Sequence, residues 1–131
     1  MLDPKLRILI VDDYTTMRRI IRNLLTQIGF SDITEAADGR EAFEKLRSGG
    51  RFDLVVSDWN MEPMTGLELL KAMRSDSGLA SIPFIMVTAE SKTENVVAAK
   101  KAGVNNYIVK PFNAETLRAK ISTVFGVTEP A

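Results

Sequence analysis

Apolar positions along the chain change period in a regular order. Leu6 to Val11 is a short apolar run, five residues of six, that ends at Asp12-Asp13. An unbroken run of this length reads as a strand buried on both faces, as in a parallel sheet. The next segment switches to a helical stripe through Met17, Ile20, Ile21, Leu24, Leu25 and Ile28, with Gly29 in a C-cap position. Ile33 to Ala36 reads as a short edge strand. Asp38 and Glu41 have capping-box spacing before a helix whose apolar face is Ala42, Phe43 and Leu46, ended by Gly49-Gly50.

The same alternation continues to the end of the chain. Phe52 to Ser57 predicts a third strand ending at Asp58, followed by a loop from Asn60 to Gly66 and a helix with Leu67, Leu70 and Met73 on one face. Ile82 to Val87 predicts a fourth strand, with Pro83 near its start, where a ladder donor can be missing. Glu90 to Ala102 is a weaker helix of Val and Ala ended by Gly103. Tyr107 to Val109 is a fifth strand ending at Lys110-Pro111, and Asn113 can cap a last helix with the stripe Ala114, Leu117, Ile121, Val124 and Phe125. Strand followed by helix, five times, predicts an α/β fold with a parallel sheet covered on both faces. The expected organisation is one domain over 1–131, with a core at about 5–126 and a frayed tail over 127–131.

Composition narrows the chemistry. Lys+Arg and Asp+Glu number 17 each, and the absence of a basic excess argues against a nucleic-acid binder. There is no Cys and no His, which removes thiolate chemistry, thiolate zinc sites and the commonest general base. No apolar run approaches the ~20 residues that span a bilayer, and Met1 to Lys5 lacks a signal-peptide pattern, so a cytoplasmic protein is expected.

In an open parallel sheet, ligands bind outside the carboxyl ends of the strands. Those ends carry Asp12 and Asp13 from strand one, Asp58 from strand three, Thr88 from strand four and Lys110 from strand five. Converging carboxylates repel unless one is protonated or a cation sits among them. Hard oxygen ligands without His or Cys favour Mg²⁺ or a similar cation. A carboxylate between a divalent cation and an ammonium can bind phosphoryl charge, with Thr88 as a hydroxyl donor. Asp58 stands alone and is the better nucleophile; the Asp12-Asp13 pair reads as the metal anchor. Each of these has a plainer role: an Asp after a strand commonly caps a turn, Thr88 can cap the next helix, and Lys-Pro is ordinary loop. Their coincidence at four strand ends favours a phosphoryl acceptor.

The stretches Val11-Asp12-Asp13, Asp58-Trp59-Asn60-Met61, Gly66-Leu67-Glu68-Leu69-Leu70, Val87-Thr88-Ala89-Glu90 and Tyr107-Ile108-Val109-Lys110-Pro111-Phe112 together resemble a response-regulator receiver domain over nearly the whole chain. Asp58-Trp59-Asn60-Met61 and Thr16-Met17-Arg18-Arg19-Ile20 resemble its stand-alone chemotaxis members in particular. The resemblance implies a flavodoxin-like fold with strand order 2-1-3-4-5. It implies phosphorylation of Asp58 by a CheA-like sensor histidine kinase, with Mg²⁺ held by Asp13, Asp58 and the Asn60 carbonyl, and by Asp12 through water. Lys110, Thr88 and the Ala89 N–H would hold the phosphate, Thr88 and Tyr107 would form the switch, and the Lys110-Pro111 bond would be cis. The implied output surface is the fourth helix, fifth strand and fifth helix, binding a flagellar motor switch protein; a phosphatase partner and a monomeric state are also implied. Trp59 has no catalytic role in this reading but would report on the site optically.

The chain departs from the pattern at Met61-Glu62-Pro63-Met64-Thr65-Gly66, where Pro is one place late, Glu stands in its usual position and Thr replaces an Asp. The Asp58-to-Gly66 spacing is kept and Thr65 can still cap a helix. Other readings are a phosphorelay shuttle or phosphate sink, and a carboxylate-dependent phosphatase. The phosphatase would need an acid two residues after its nucleophile, where Asn60 cannot serve. A flavodoxin-like cofactor binder lacks a phosphate loop after strand one, and Asp12-Asp13 would repel a flavin phosphate.

Overall fold

The computed structural model describes residues 4–48, 51–59, 61, 64–88, 93–110 and 112–126, without the side chains of 93–96. Strands β1 (Ile8–Val11), β2 (Ile33–Ala36), β3 (Leu54–Asp58), β4 (Phe84–Thr88) and β5 (Asn106–Val109) alternate with helices α1 (Thr15–Ile28), α2 (Gly39–Ser48), α3 (Gly66–Arg74), α4 (Thr93–Lys101) and α5 (Ala114–Val124). All strand pairs are parallel and the order is β2-β1-β3-β4-β5. The fold expected from the sequence is the fold observed.

Strand alternation divides the core in two. Leu9, Val11, Val55, Phe84 and Met86 face Ala42, Leu46, Leu69, Leu70 and Met73 of α2 and α3. Ile8, Ile10, Leu54, Val56, Ile85, Val87 and Ile108 face Ile21, Leu25, Leu117 and Ile121 of α1 and α5. Because both sheet faces are covered, the three inner strands read as unbroken apolar runs rather than alternating ones. The structure changes some details. Ile20, placed on the α1 stripe, is 43% exposed, whereas Leu69 rather than Leu67 completes the buried face of α3. β3 and β4 begin two residues later than the apolar runs suggest and include Asp58 and Thr88 as their last residues. The functional side chains are therefore anchored in the ladder itself.

The starts of α2, α3 and α5 are capped by side chains, whereas Tyr14 leaves α1 without a side-chain cap. Thr65 and Glu68 form a full capping box on α3, and Asn113 Oδ1 accepts the Thr116 N–H on α5. At α2 only half of the expected box forms. Asp38 Oδ1 accepts the Glu41 N–H, but Glu41 Oε2 takes the Ala37 N–H, one residue earlier than a box requires. The outer rim of β2 is closed by side chains: Arg22 Nη2 donates to the Ile33 carbonyl and Lys45 Nζ to the Glu35 carbonyl. No described helix is long and apolar enough to cross a membrane.

Gly66 positions the β3–α3 connection. Its N–H donates to the Trp59 carbonyl at 2.9 Å. A Cβ there would collide with the Asp58 carbonyl oxygen and lie 2.9 Å from Met86 Sδ. Gly66→Ala is expected to lose roughly 1–3 kcal/mol of stability, read as a lower urea midpoint, because neither backbone nor buried sulfur can yield freely.

Candidate functional site

Parallel pairing brings the carboxyl ends of the strands together. Val11 is opposite Ser57, Asp58 opposite Val87, and Thr88 opposite Val109. Asp12 follows β1, its N–H donating to the Ala36 carbonyl at 3.2 Å, and Lys110 follows β5, its N–H donating to the Thr88 carbonyl at 2.7 Å. Asp58 and Thr88 are thus the last residues of their strands, Asp12 and Lys110 the first residues after theirs, and Asp13 the next residue on from Asp12.

One carboxylate oxygen from each of Asp12, Asp13 and Asp58 lies within 4.8 Å of the other two. Asp12 and Asp58 are buried, at 1% and 7% exposure, while Asp13 faces solvent and leaves the cluster open on one side. Lys110 Nζ donates to Asp58 Oδ1 at 3.1 Å and lies 3.6 Å from Asp12 Oδ2. Burial raises the Asp58 carboxyl above its ordinary pKa, against the lowering effect of Lys110. Burial also raises Asp12; the Tyr14 backbone N–H, which donates to Oδ1, opposes it, and the Asp58 charge adds to it.

The two oxygens of Asp12 have different roles. Oδ1 closes a local turn through the Tyr14 N–H, the ordinary role of an Asp after a strand. Oδ2 is buried and has no hydrogen-bond partner among the described residues. Such an atom is costly unless a cation compensates it. Three hard carboxylate oxygens faced by the single Lys110 ammonium, and an open side, suit an oxygen-seeking divalent cation.

Thr88 is 2% exposed at the end of β4. Tyr107 is half-buried, packs against the α2–α3 side of the core and lies opposite Met86, so alternation places it diagonally across one sheet face from Thr88. Trp59 is likewise half-buried against that core. Asn60, Glu62, Pro63, Ala89 and Pro111 lie outside the described residues, as do the tail at 127–131 and the expectations that rest on them. The structure adds two residues that the strand-end pattern did not single out, Arg18 and Glu35. Arg18 belongs to the Thr-Met-Arg-Arg stretch, but its partner is 17 positions away, so no local spacing signals the pair.

A sheet of this order with acids, hydroxyl and lysine at its carboxyl edge has the organisation that the sequence comparisons assign to one family. Residues 8–122 match the model of the response regulator receiver domain, and the chain belongs to that family. It is a receiver of the CheY type. The chemotaxis protein CheY of Pseudomonas aeruginosa is 52% identical over 120 residues, covering 92% of this chain and 96% of that protein. Chemotaxis protein CheY-3 of Vibrio cholerae is 51% identical over 124 residues, covering 95% of each. The solved structure of V. cholerae CheY4 superposes with a TM-score of 0.85 at 38% identity, over 92% of this chain and 98% of that one.

Proposed function

We propose that this receiver is a phosphorylation-controlled chemotaxis switch in which Asp58 accepts a phosphoryl group from a sensor histidine kinase. The observation that carries the reading is the convergence of three carboxylates with Lys110 Nζ on Asp58 Oδ1. In the transfer, an Asp58 carboxylate oxygen bonds to phosphorus as the phosphorus–nitrogen bond of the donor phosphohistidine breaks, and the imidazole leaves with the electron pair. Asp13, Asp58 and the Asn60 carbonyl, with Asp12 acting through water, would hold Mg²⁺, which would supply positive charge to the transferring oxygens. Lys110, already on Asp58, turns to a phosphoryl oxygen. Thr88 and the Ala89 N–H donate to the others. Movement of Thr88 opens space that the Tyr107 ring occupies, which couples the acceptor to the face formed by α4, β5 and α5.

The product is a signalling state rather than a released metabolite, so the protein acts as a regulator rather than as an enzyme. The expected setting is a cytoplasmic monomer with a kinase, a phosphatase and the flagellar motor switch as partners; the names of its relatives support the chemotaxis part of this reading. Binding to a motor-switch peptide, followed by fluorescence anisotropy, tests the output. Phosphorylated protein should bind at least tenfold more tightly, a coupling of about 1.4 kcal/mol. Equal affinity of both forms would leave phosphate relay or drainage as the function.

A further inference from the structure

Arg18 sits one turn into α1 and is only 16% exposed along its side chain. Its guanidinium reaches back to the acidic site. Nη1 donates to the Asp12 carbonyl at 2.6 Å, Nε to Glu35 Oε1 at 3.2 Å and Nη2 to Thr15 Oγ1 at 3.2 Å. Glu35 is itself held by Arg22 Nε at 2.6 Å. Burial raises the Glu35 carboxyl, but the hydrogen bonds and charges of Arg22 and Arg18 prevail and hold it below its ordinary range, so it is ionised at neutral pH. The edge strand β2 thus provides a fixed anion, which fixes Arg18, which fixes Asp12.

The bond to Asp12 falls at a sensitive place. The Asp12 N–H is held by the Ala36 carbonyl and its Oδ1 by the Tyr14 N–H. The carbonyl that Arg18 grips belongs to the peptide joining Asp12 to Asp13. With all three restraints in place, Oδ2 remains turned toward Asp58 and Lys110, and the Asp13 carboxylate stays within reach of the other two. We infer that Arg18, steadied by Glu35, is a positioning residue that orients the Asp12–Asp13 peptide so that the two carboxylates form a divalent-cation site with Asp58. This rests on the reading of the acidic cluster as a magnesium site.

The inference has a sign that electrostatics alone would reverse. Removing a cation beside a cation site should tighten metal binding by Coulomb's law. Loss of a support that orients the ligands should weaken it, on the order of tenfold. Magnesium titration by calorimetry separates the two, with melting in a chelator as the measure of fold. Arg18→Met is expected to bind Mg²⁺ about tenfold more weakly while remaining folded. Arg18→Lys keeps the charge but cannot fork between a carbonyl and a carboxylate, and should also bind weakly. Glu35→Gln should shift affinity in the same direction by a smaller factor, and Asp13 and Tyr14 amide exchange should quicken in metal-free Arg18→Met. Unchanged or tighter binding by folded Arg18→Met, or full recovery in Arg18→Lys, overturns the inference. If Arg18→Met does not fold, Arg18→Lys and Glu35→Gln decide it by the same criteria. Wild-type protein that takes up no Mg²⁺ overturns the underlying reading of the cluster, and the inference with it.

Discussion

Asp58→Asn protein, incubated with Mg²⁺ and a small phosphoryl donor, should keep its unmodified mass while the wild type gains one phosphoryl group. The effect is all-or-none because the substitution preserves shape and removes the nucleophile: an amide oxygen carries no charge and cannot form the acyl phosphate. Asp12 and Asp13 remain as internal controls, since each offers a carboxylate oxygen within 4.8 Å of one on Asp58. Their environments nevertheless differ from that of Asp58. Asp12 Oδ1 is engaged by a backbone N–H, and Asp13 is exposed, whereas Asp58 Oδ1 already has the Lys110 ammonium that a transferring phosphoryl group needs. A mass gain that survives in Asp58→Asn would move the acceptor to one of the other two.

Asp12→Asn should have opposite effects on stability and on metal response. The amide can still accept the Tyr14 N–H through Oδ1, and it removes a buried charge whose second oxygen has no hydrogen-bond partner among the described residues. Relief of that cost is expected to stabilise the metal-free protein by roughly 1–3 kcal/mol in urea unfolding. The stabilisation that Mg²⁺ gives the wild type should shrink or vanish in the variant. The pH dependence follows from the raised Asp12 pKa. The folded protein holds this proton more tightly than the unfolded chain does, so the charged form costs wild-type stability above the folded pKa. As pH falls through that raised value toward the ordinary 3.8, the wild type recovers and the advantage of Asn disappears. An Asp12→Asn chain less stable than wild type at neutral pH without metal would contradict the reading of the Asp12 charge as a net cost that Lys110, 3.6 Å from Oδ2, does not offset.

Much of this site could be read before any coordinates, for a physical reason. In a parallel sheet every strand points the same way, so the residue after each apolar run arrives at one edge without any knowledge of strand order. This rule places Asp12, Asp58, Thr88 and Lys110 at one edge, and local chemistry marks the Thr65 and Asn113 caps. The order of strands came only from the resemblance, because apolar runs buried on both faces carry no pairing code. Periodicity missed Leu69 because α3 lies deep and buries Leu70 beside it, a wider apolar arc than a single stripe. It missed Gly66 as a steric necessity because the neighbours of an absent Cβ are the Asp58 backbone and Met86 on other elements. Arg18 and Glu35 were invisible for the same reason: their link joins a helix to the edge strand and exists only once the sheet is formed.

The side chains that close the β2 rim have a consequence for association. An edge strand with bare carbonyls is a template on which another chain can add a strand. Here the outward carbonyls of Ile33 and Glu35 already hold Arg22 and Lys45. An incoming strand would have to strip two cations from their acceptors, and Arg22 from Glu35 as well, before making its first ladder bond. That barrier discourages filament-like growth along this side of the sheet, and one of its two cations, Arg22, also holds the Glu35 carboxylate that steadies Arg18.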